Sequence, residues 1–137
     1  MSSDTDKEVD FILVRTMTPR QVVSLLLSRF PTMRDLVCPE EYCFELPTVV
    51  YDSFAKIVRE RSDDSGFMQS VVLFIDELSE SKDPLVKEVL FSSLLEGIAV
   101  NAQLARMISR TISPKSRSLL REVESKIYGR ASSDEDT

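Results

Sequence analysis

Carboxylates are the side chains of this chain with the clearest capacity for chemistry. Asp76, Glu77, Glu80 and Asp83 follow one another closely in the sequence. Asp76 and Glu80 are four positions apart, which places them on one face of a helix. Such a pair can bind a hard cation, but the spacing does not follow the calcium-loop pattern. The cluster therefore predicts a solvated or partner-binding acidic face in preference to a metal site.

Few other side chains can support catalysis or metal binding. The sequence contains no histidine, which removes the usual general base and the commonest metal ligand. Cys38 and Cys43 are its two cysteines, and two thiols without histidine cannot complete a four-ligand zinc site. We expect both to be free thiols of a cytoplasmic protein. The sequence predicts no catalytic residue, no metal and no cofactor, and hence a protein that is not an enzyme.

The net charge of −6 conceals a division between two parts of the chain. Residues 60–96 contain nine acids and three bases, whereas residues 97–130 contain two acids and seven bases. The acidic and basic helices could lie side by side and partly neutralise each other. Alternatively, the acidic block could attract a basic partner over a distance. On the second interpretation, the partner-binding residues are Asp63, Asp64, Asp76, Glu77, Glu80 and Asp83.

Two further acids lie among apolar residues. Glu96 stands between Leu95 and Gly97, and an unpaired buried carboxylate is costly. Glu96 is therefore predicted to form an ion pair or cap between helices, to face solvent, or to recognise a partner. Asp52 is predicted to pair with Lys56, four positions later on the same helix, with recognition as the alternative.

Composition favours helices over sheets. Of the 137 residues 42% are hydrophobic, which is enough for a core in a single domain. Three glycines are few for a sheet protein, which uses glycine in turns and bulges. We expect an all-α fold, a single compact helical bundle or short helical stack of five to six helices, over residues 11–130. Residues 1–10 are expected to be a flexible acidic N-terminus and residues 131–137 a disordered acidic tail.

Prolines and capping residues mark the predicted helix starts. Proline suits the first helical position because that position needs no backbone N–H and because the φ of proline is already helical. Thr18-Pro19 opens the first helix, with Gln21 placed for a capping box. Further starts are predicted at Leu46-Pro47, at Asp64 or Ser65, at Asp83-Pro84 and at Ser113-Pro114.

The helix that begins at Pro84 is predicted to be the centre of the fold. Its apolar residues cover more than one stripe, so neighbouring helices must cover it on several sides. It is expected to run to about Gly97, where a kink leads into a second helical stretch from Ala99 to Ile112. Residues 31–46 are interpreted as an irregular connection with a short turn at Thr32–Val37.

The first residues do not resemble a secretory signal. Met1–Asp6 is acidic and polar, without a basic start or an apolar run. No stretch of the sequence approaches the roughly 20 consecutive apolar residues of a membrane span. We therefore expect a soluble cytoplasmic protein without a membrane partner.

Four stretches carry a family resemblance: residues 46–55 (LPTVVYDSFA), 74–78 (FIDEL), 90–97 (LFSSLLEG) and 113–120 (SPKSRSLL). Over about residues 46–128, in length and in these helix starts, the chain resembles small all-helical bacterial proteins of the toxin-immunity type. The resemblance implies a protein that binds a cognate toxin and blocks its active site or its assembly. It transfers no contact residue by position, although Asp52 and Glu96 lie within it. Together with the acidic block, it predicts an inhibitor that binds a toxin domain through an acidic face.

A second function is suggested by residues 104–117. Their pattern superficially resembles a helix-turn-helix, with Arg117 and Arg121 on the recognition helix. The net negative charge of the chain opposes phosphate binding. A helical regulator or adaptor that binds nucleic acid through the basic C-terminal helix is therefore the alternative hypothesis.

Overall fold

A computed structural model describes residues 17–129 of the chain. The expectations for residues 1–16 and 130–137, including the acidic N-terminus and the acidic tail, lie outside these described residues. Within them the chain forms seven helices and no strand, which confirms the all-α fold class. None of these helices is both long and apolar enough to cross a membrane. The helices are α1 (Pro19–Arg29), α2 (Arg34–Val37), α3 (Pro47–Glu60), α4 (Ser65–Ser79), α5 (residues 84–99), α6 (Ala102–Ser109) and α7 (residues 114–129).

The short helix α2 brings the number of helices above the five to six expected. Two 3-10 turns, Pro31–Met33 and Glu41–Glu45, flank it in the connection that is predicted to be irregular. Arg20 of α1 anchors the second turn through an ion pair with Glu41, in which Nη2 and Oε1 are 2.6 Å apart. The hydrogen bond from Arg20 holds the pKa of the Glu41 carboxyl below its usual range. The connection is therefore ordered by helical turns and by contacts to α1.

The predicted helix starts are confirmed, and side chains cap four of them. Thr18 and Gln21 form a capping box: Thr18 Oγ1 accepts a 3.2 Å hydrogen bond from the Gln21 backbone, and Gln21 Oε1 accepts one of 2.8 Å from the Thr18 backbone. Asp64, Asp83 and Ser113 each accept hydrogen bonds from backbone N–H groups in the turn that follows. These bonds satisfy donors that helix geometry leaves without a partner.

The boundary predicted near Gly97 lies a few residues later. The helix passes through Gly97 and ends at Ala99, and the next helix begins after Asn101. Asn101 adopts φ −109° and ψ 99°, and its Oδ1 accepts a 3.0 Å hydrogen bond from the backbone N–H of Leu104. Asn101 is therefore the N-cap of α6, a position that asparagine favours because its side chain replaces a missing backbone partner. Gly97 has a different role within α5.

Helix α5 is the buried centre that the sequence predicts. It packs against α3 on one side and α7 on another. Its middle, Val89–Leu95, is π-helical, a wider coil with hydrogen bonds between residues five apart. The hydroxyl of Tyr128, near the end of α7, donates a 2.6 Å hydrogen bond to the carbonyl of Ala99. The buried residues of α5 are Val86, Val89, Leu90, Ser93, Leu94, Leu95, Ile98 and Ala99.

Helices α3 and α5 lie close together at Ala55 and Gly97. A Cβ atom on Gly97 would lie 2.6 Å from the Cβ of Ala55, well inside van der Waals contact. Arg59 Nη1 donates a 2.8 Å hydrogen bond to the Gly97 carbonyl, and Ser93 Oγ donates one of 3.3 Å to the Thr48 carbonyl. The absence of a side chain at Gly97 therefore allows the backbones of the two helices to come this close.

Aromatic rings join α1, α3 and α4. The centroids of Phe30, Phe54 and Phe74 are 4.8, 5.6 and 6.2 Å apart, distances at which ring pairs add to the stabilisation from burial. Tyr51 is fully buried, and its hydroxyl donates a 2.9 Å hydrogen bond to the Val22 carbonyl. Burial raises the pKa of the Tyr51 phenol because the charged form would lose its hydration.

Both cysteines are buried and free. Burial raises the pKa of the Cys38 thiol, and a thiol with a raised pKa forms little of the reactive thiolate. Cys38 Sγ lies 3.8 Å from the carbonyl of Glu40. The two thiols therefore act as small core side chains.

We expect Gly97→Ala to destabilise the protein by about 1–3 kcal/mol, because the added methyl group must push α3 and α5 apart in a close-packed core. Gly66→Ala is the matched control. A Cβ there meets only Asp64 Oδ1, at 3.7 Å, and alanine is favoured over glycine within a helix by about 1 kcal/mol. Urea unfolding followed by circular dichroism gives both free energies.

The double variant Ala55→Gly, Gly97→Ala should recover much of the loss, because it moves the methyl group from one helix to the other. Equal free energies of unfolding for Gly97→Ala and Gly66→Ala would show that the contact at Gly97 does not set the separation of α3 and α5.

Candidate protein-binding surface

The six predicted partner-binding acids do not form one free acidic face. Asp64 and Asp83 cap the helices that follow them. Asp83 also accepts a hydrogen bond from the backbone N–H of Met17, and it is only 9% exposed. These two carboxylates therefore hold helix starts within the fold.

Asp76 connects α4 to the start of α7. Its Oδ1 accepts a 3.0 Å hydrogen bond from the backbone N–H of Ser113 and one of 2.7 Å from the hydroxyl of Ser116. Ser116 is completely buried, so this carboxylate satisfies a donor that water does not reach. Asp76 thus forms a contact between helices, and the partner-binding role expected of it stays a prediction.

Glu77 and Glu80 are exposed but are paired with bases. Arg29 binds Glu77 through two hydrogen bonds, Nε to Oε1 at 2.8 Å and Nη2 to Oε2 at 2.5 Å. Lys115 Nζ lies 3.6 Å from Glu80 Oε1 and joins the basic part of the chain to the acidic part. Exposed pairs of this kind add little stability. They agree with the interpretation in which oppositely charged helices lie side by side.

Glu96 and Asp52 are both exposed. Neither forms an ion pair with another described residue, so the predicted pair of Asp52 with Lys56 does not form. Glu96 faces solvent, one of the outcomes predicted for it, while Arg59 binds the carbonyl of the next residue, Gly97. For both acids, a role in recognition stays a prediction.

An apolar groove lies between α4 and α6, and we call it the α4–α6 groove. Its volume is about 790 Å³. Leu73 is 70% exposed and Met107 is 39% exposed, although both are large apolar residues within helices. The apolar lining consists of Met68, Val72, Leu73, Met107 and Ile108.

Charged side chains border the α4–α6 groove. Asp63 lines it and also lines an adjoining cleft of about 510 Å³, which includes Arg106. Leu73 borders a smaller depression of about 280 Å³ that contains the ion pair of Arg29 and Glu77. An apolar centre with a charged, solvent-accessible border is the usual anatomy of a protein interface.

The sequence contains a signal for the groove that the buried face of α4 conceals. The apolar residues that recur on that face predict the helix and its core contacts but not the groove. On the other face, the exposed positions Gln69, Leu73 and Glu77 recur every four residues. A leucine in line with polar residues is therefore the signal of an exposed apolar site.

The basic C-terminal helix is partly engaged within the fold. Arg117 Nε donates a 2.7 Å hydrogen bond to the Ser109 carbonyl, and Arg117 Nη2 donates one of 3.2 Å to the Ile112 carbonyl. A basic side chain in this position stabilises carbonyls at the end of α6. Arg121 is exposed. One of the two arginines assigned to a recognition helix thus has an internal role.

Comparisons with known proteins add no relative. No protein-family model matches the chain, and neither a curated protein nor a solved structure shows significant similarity to it. The resemblance to toxin-immunity proteins therefore stays a prediction. Among residues 17–129, no group of three or more acids or cysteines is placed to hold a metal ion.

We expect Asp76→Ala to lower the free energy of unfolding by about 1–3 kcal/mol, because it leaves the buried Ser116 hydroxyl without its acceptor. Asp52→Ala removes an exposed carboxylate of the same kind and should change stability by no more than about 0.5 kcal/mol. Urea titration compares the two variants, and hydrogen exchange should accelerate at the start of α7 in Asp76→Ala alone. Equal stabilities would refute the internal role of Asp76.

Proposed function

We propose that this chain is a non-enzymatic protein-binding module that contacts its partner through the α4–α6 groove. The observation that carries the proposal is the exposure of Leu73 and Met107 within a groove of about 790 Å³. Single apolar side chains on a surface are ordinary, but a contiguous apolar depression with a charged border is typical of a binding site.

The side chains of the groove suit a protein partner. Met68 and Met107 are unbranched and polarizable, so they can adapt to the shape of an opposing surface. Leu73 precedes Phe74, whose ring belongs to the aromatic core and holds this part of α4 in place. A side chain on a rigid helix needs little ordering of its backbone when it binds. Leu73 is therefore the proposed centre of the contact.

The partner class that we propose is a toxin domain. This assignment comes from the family resemblance, which implies that the complex blocks the active site or the assembly of the toxin. Of the six predicted acids, Asp63 lines the groove and Glu77 lies beside Leu73. Their carboxylates, with Arg106 close by, favour a partner surface that carries both signs of charge. Such border charges act mainly on the association rate and make it sensitive to salt.

Nucleic-acid binding has less support from the charges of the chain. The net charge of −6 repels phosphate, and Arg117 is bonded to carbonyls at the end of α6. Protein binding is therefore the function that the exposed side chains favour.

Leu73→Asp should weaken partner binding while the fold remains intact, because the side chain is exposed in the free protein but central in the proposed complex. Val49→Asp is the matched control: Val49 is an apolar residue of α3, 50% exposed, outside the groove. Affinity capture from the native host identifies the partner, and calorimetry with the purified partner gives each Kd. We expect an increase of at least about 30-fold for Leu73→Asp, which corresponds to the loss of about 2 kcal/mol at a central contact.

The toxin assignment has a separate test. Co-expression of the captured partner alone should arrest cell growth, and co-expression with the unsubstituted chain or Val49→Asp should restore it, whereas Leu73→Asp should not. A captured partner that is harmless to cells would refute the toxin assignment but not the role of the groove as the binding site. Equal Kd values for the unsubstituted chain, Val49→Asp and Leu73→Asp would refute that role.

A further inference from the structure

A second groove lies on another part of the surface, between the start of α5 and α7. We call it the α5–α7 groove, and its volume is about 760 Å³. Its lining includes the apolar residues Leu90, Phe91 and Leu119. Phe91 and Leu119 are half-buried and pack against the edge of the core. The groove thus offers an apolar floor that no other described helix covers.

Lysines surround this apolar floor. The lining contains four of them, Lys82, Lys87, Lys115 and Lys126, against two acids, Glu88 and Glu122. Lys126 Nζ lies 4.9 Å from the centroid of the Phe91 ring, and Lys115 is close to Glu80. Lys82 and Lys87 form no ion pair with another of residues 17–129. A segment that combines carboxylates with apolar side chains is the complement of this surface.

The chain enters the described part of the fold beside this groove. The backbone N–H of Met17 donates a hydrogen bond to the carboxylate of Asp83. Asp83 stands between Lys82 and Pro84, and both of these neighbours line the groove. The described part of the chain therefore begins at the groove's own border.

The sequence of the attached segment matches the chemistry of the groove. Residues 8–14 read EVDFILV, with carboxylates at Glu8 and Asp10 followed by an apolar run from Phe11 to Val14. Met17 and Phe11 are six positions apart, and an extended chain spans about 20 Å over that interval. Phe91 lies seven residues beyond Pro84, about 10 Å along a helix of ordinary rise. The floor is therefore within reach of the tethered segment.

We propose that residues 8–14 of this chain dock in the α5–α7 groove of the same molecule. The apolar run covers Leu90, Phe91 and Leu119, and the carboxylates of Glu8 and Asp10 pair with lysines of the border. Because the segment is tethered, its effective concentration at the groove is on the order of millimolar, so that a weak contact suffices. This proposal concerns a different surface from the α4–α6 groove, and its failure would leave that groove unaffected.

A tryptophan placed in the floor can report whether the segment covers it. The chain contains no tryptophan, so Phe91→Trp in the full-length chain introduces a single emitting indole. We expect emission at short wavelength and weak quenching by acrylamide. The added double substitution Phe11→Asp, Ile12→Asp should shift the emission to longer wavelength and raise the quenching several-fold. The control double substitution Ser2→Asp, Ser3→Asp, also made in Phe91→Trp, adds the same charge outside residues 8–14. It should leave the emission wavelength and the acrylamide quenching unchanged. Identical spectra for all three proteins would overturn the proposal.

Zero-length carbodiimide coupling tests the same contact without altering the protein. An equal mixture of unlabelled and ¹⁵N-labelled full-length chain is coupled at low salt, and the cross-linked peptides are read by mass spectrometry. We expect links from Glu8 or Asp10 to Lys82 or Lys87 within chains of one isotope, with a yield that falls as salt screens the charges. Mixed-isotope links would show that a second copy fills the groove. The proposal would be overturned by mixed-isotope links, and equally by the absence of any link from Glu8 or Asp10 to the lysines of the groove.

Discussion

The contact between Ala55 and Gly97 limits how closely α3 can approach α5, and the other helices pack on the flanks of this pair. Protein interiors are close-packed, so a fixed distance between two central helices fixes the space for side chains on either flank. On one flank, Phe54 of α3 reaches Phe30 and Phe74, which brings α1 and α4 into place. On the other, α5 presents its second buried side to α7. The missing methyl group at Gly97 therefore permits the close approach of the two central helices.

The sequence predicts the fold well wherever local chemistry decides the structure. Proline at a first helical position and a capping side chain before it act within one turn, so Thr18-Pro19, Asp83-Pro84 and Ser113-Pro114 locate three helices correctly. The break at Asn101 is equally local, and it was missed because Gly97 offered a more familiar cause for a bend. The contact between Gly97 and Ala55 joins positions in two different helices, and the spacing of residues along one helix carries no information about it.

The candidate site is less predictable, because the availability of a side chain depends on partners that are distant in the sequence. Asp76 looks free beside Glu77, yet it binds Ser113 and Ser116, 37 and 40 positions away. The charge pattern could not distinguish a carboxylate that caps a helix from one that is available to bind another protein. In the sequence, Leu73 is an apolar residue on the polar face of α4. The pattern of the buried apolar face of α4 does not include it. Exposed apolar side chains were thus a better guide to the surface than charge.

The burial of α5 between helices that precede and follow it has a consequence for synthesis. As the nascent chain leaves the ribosome, α3 and α4 are available to α5 at once, but α7 has not yet been made. The side of α5 that finally meets α7 must wait until the hydroxyl of Tyr128 can reach the carbonyl of Ala99. At about 5–20 residues per second, translation of the residues between them leaves that apolar side uncovered for about 1.5–6 s. Such an interval is long enough for a chaperone to engage the unfinished protein.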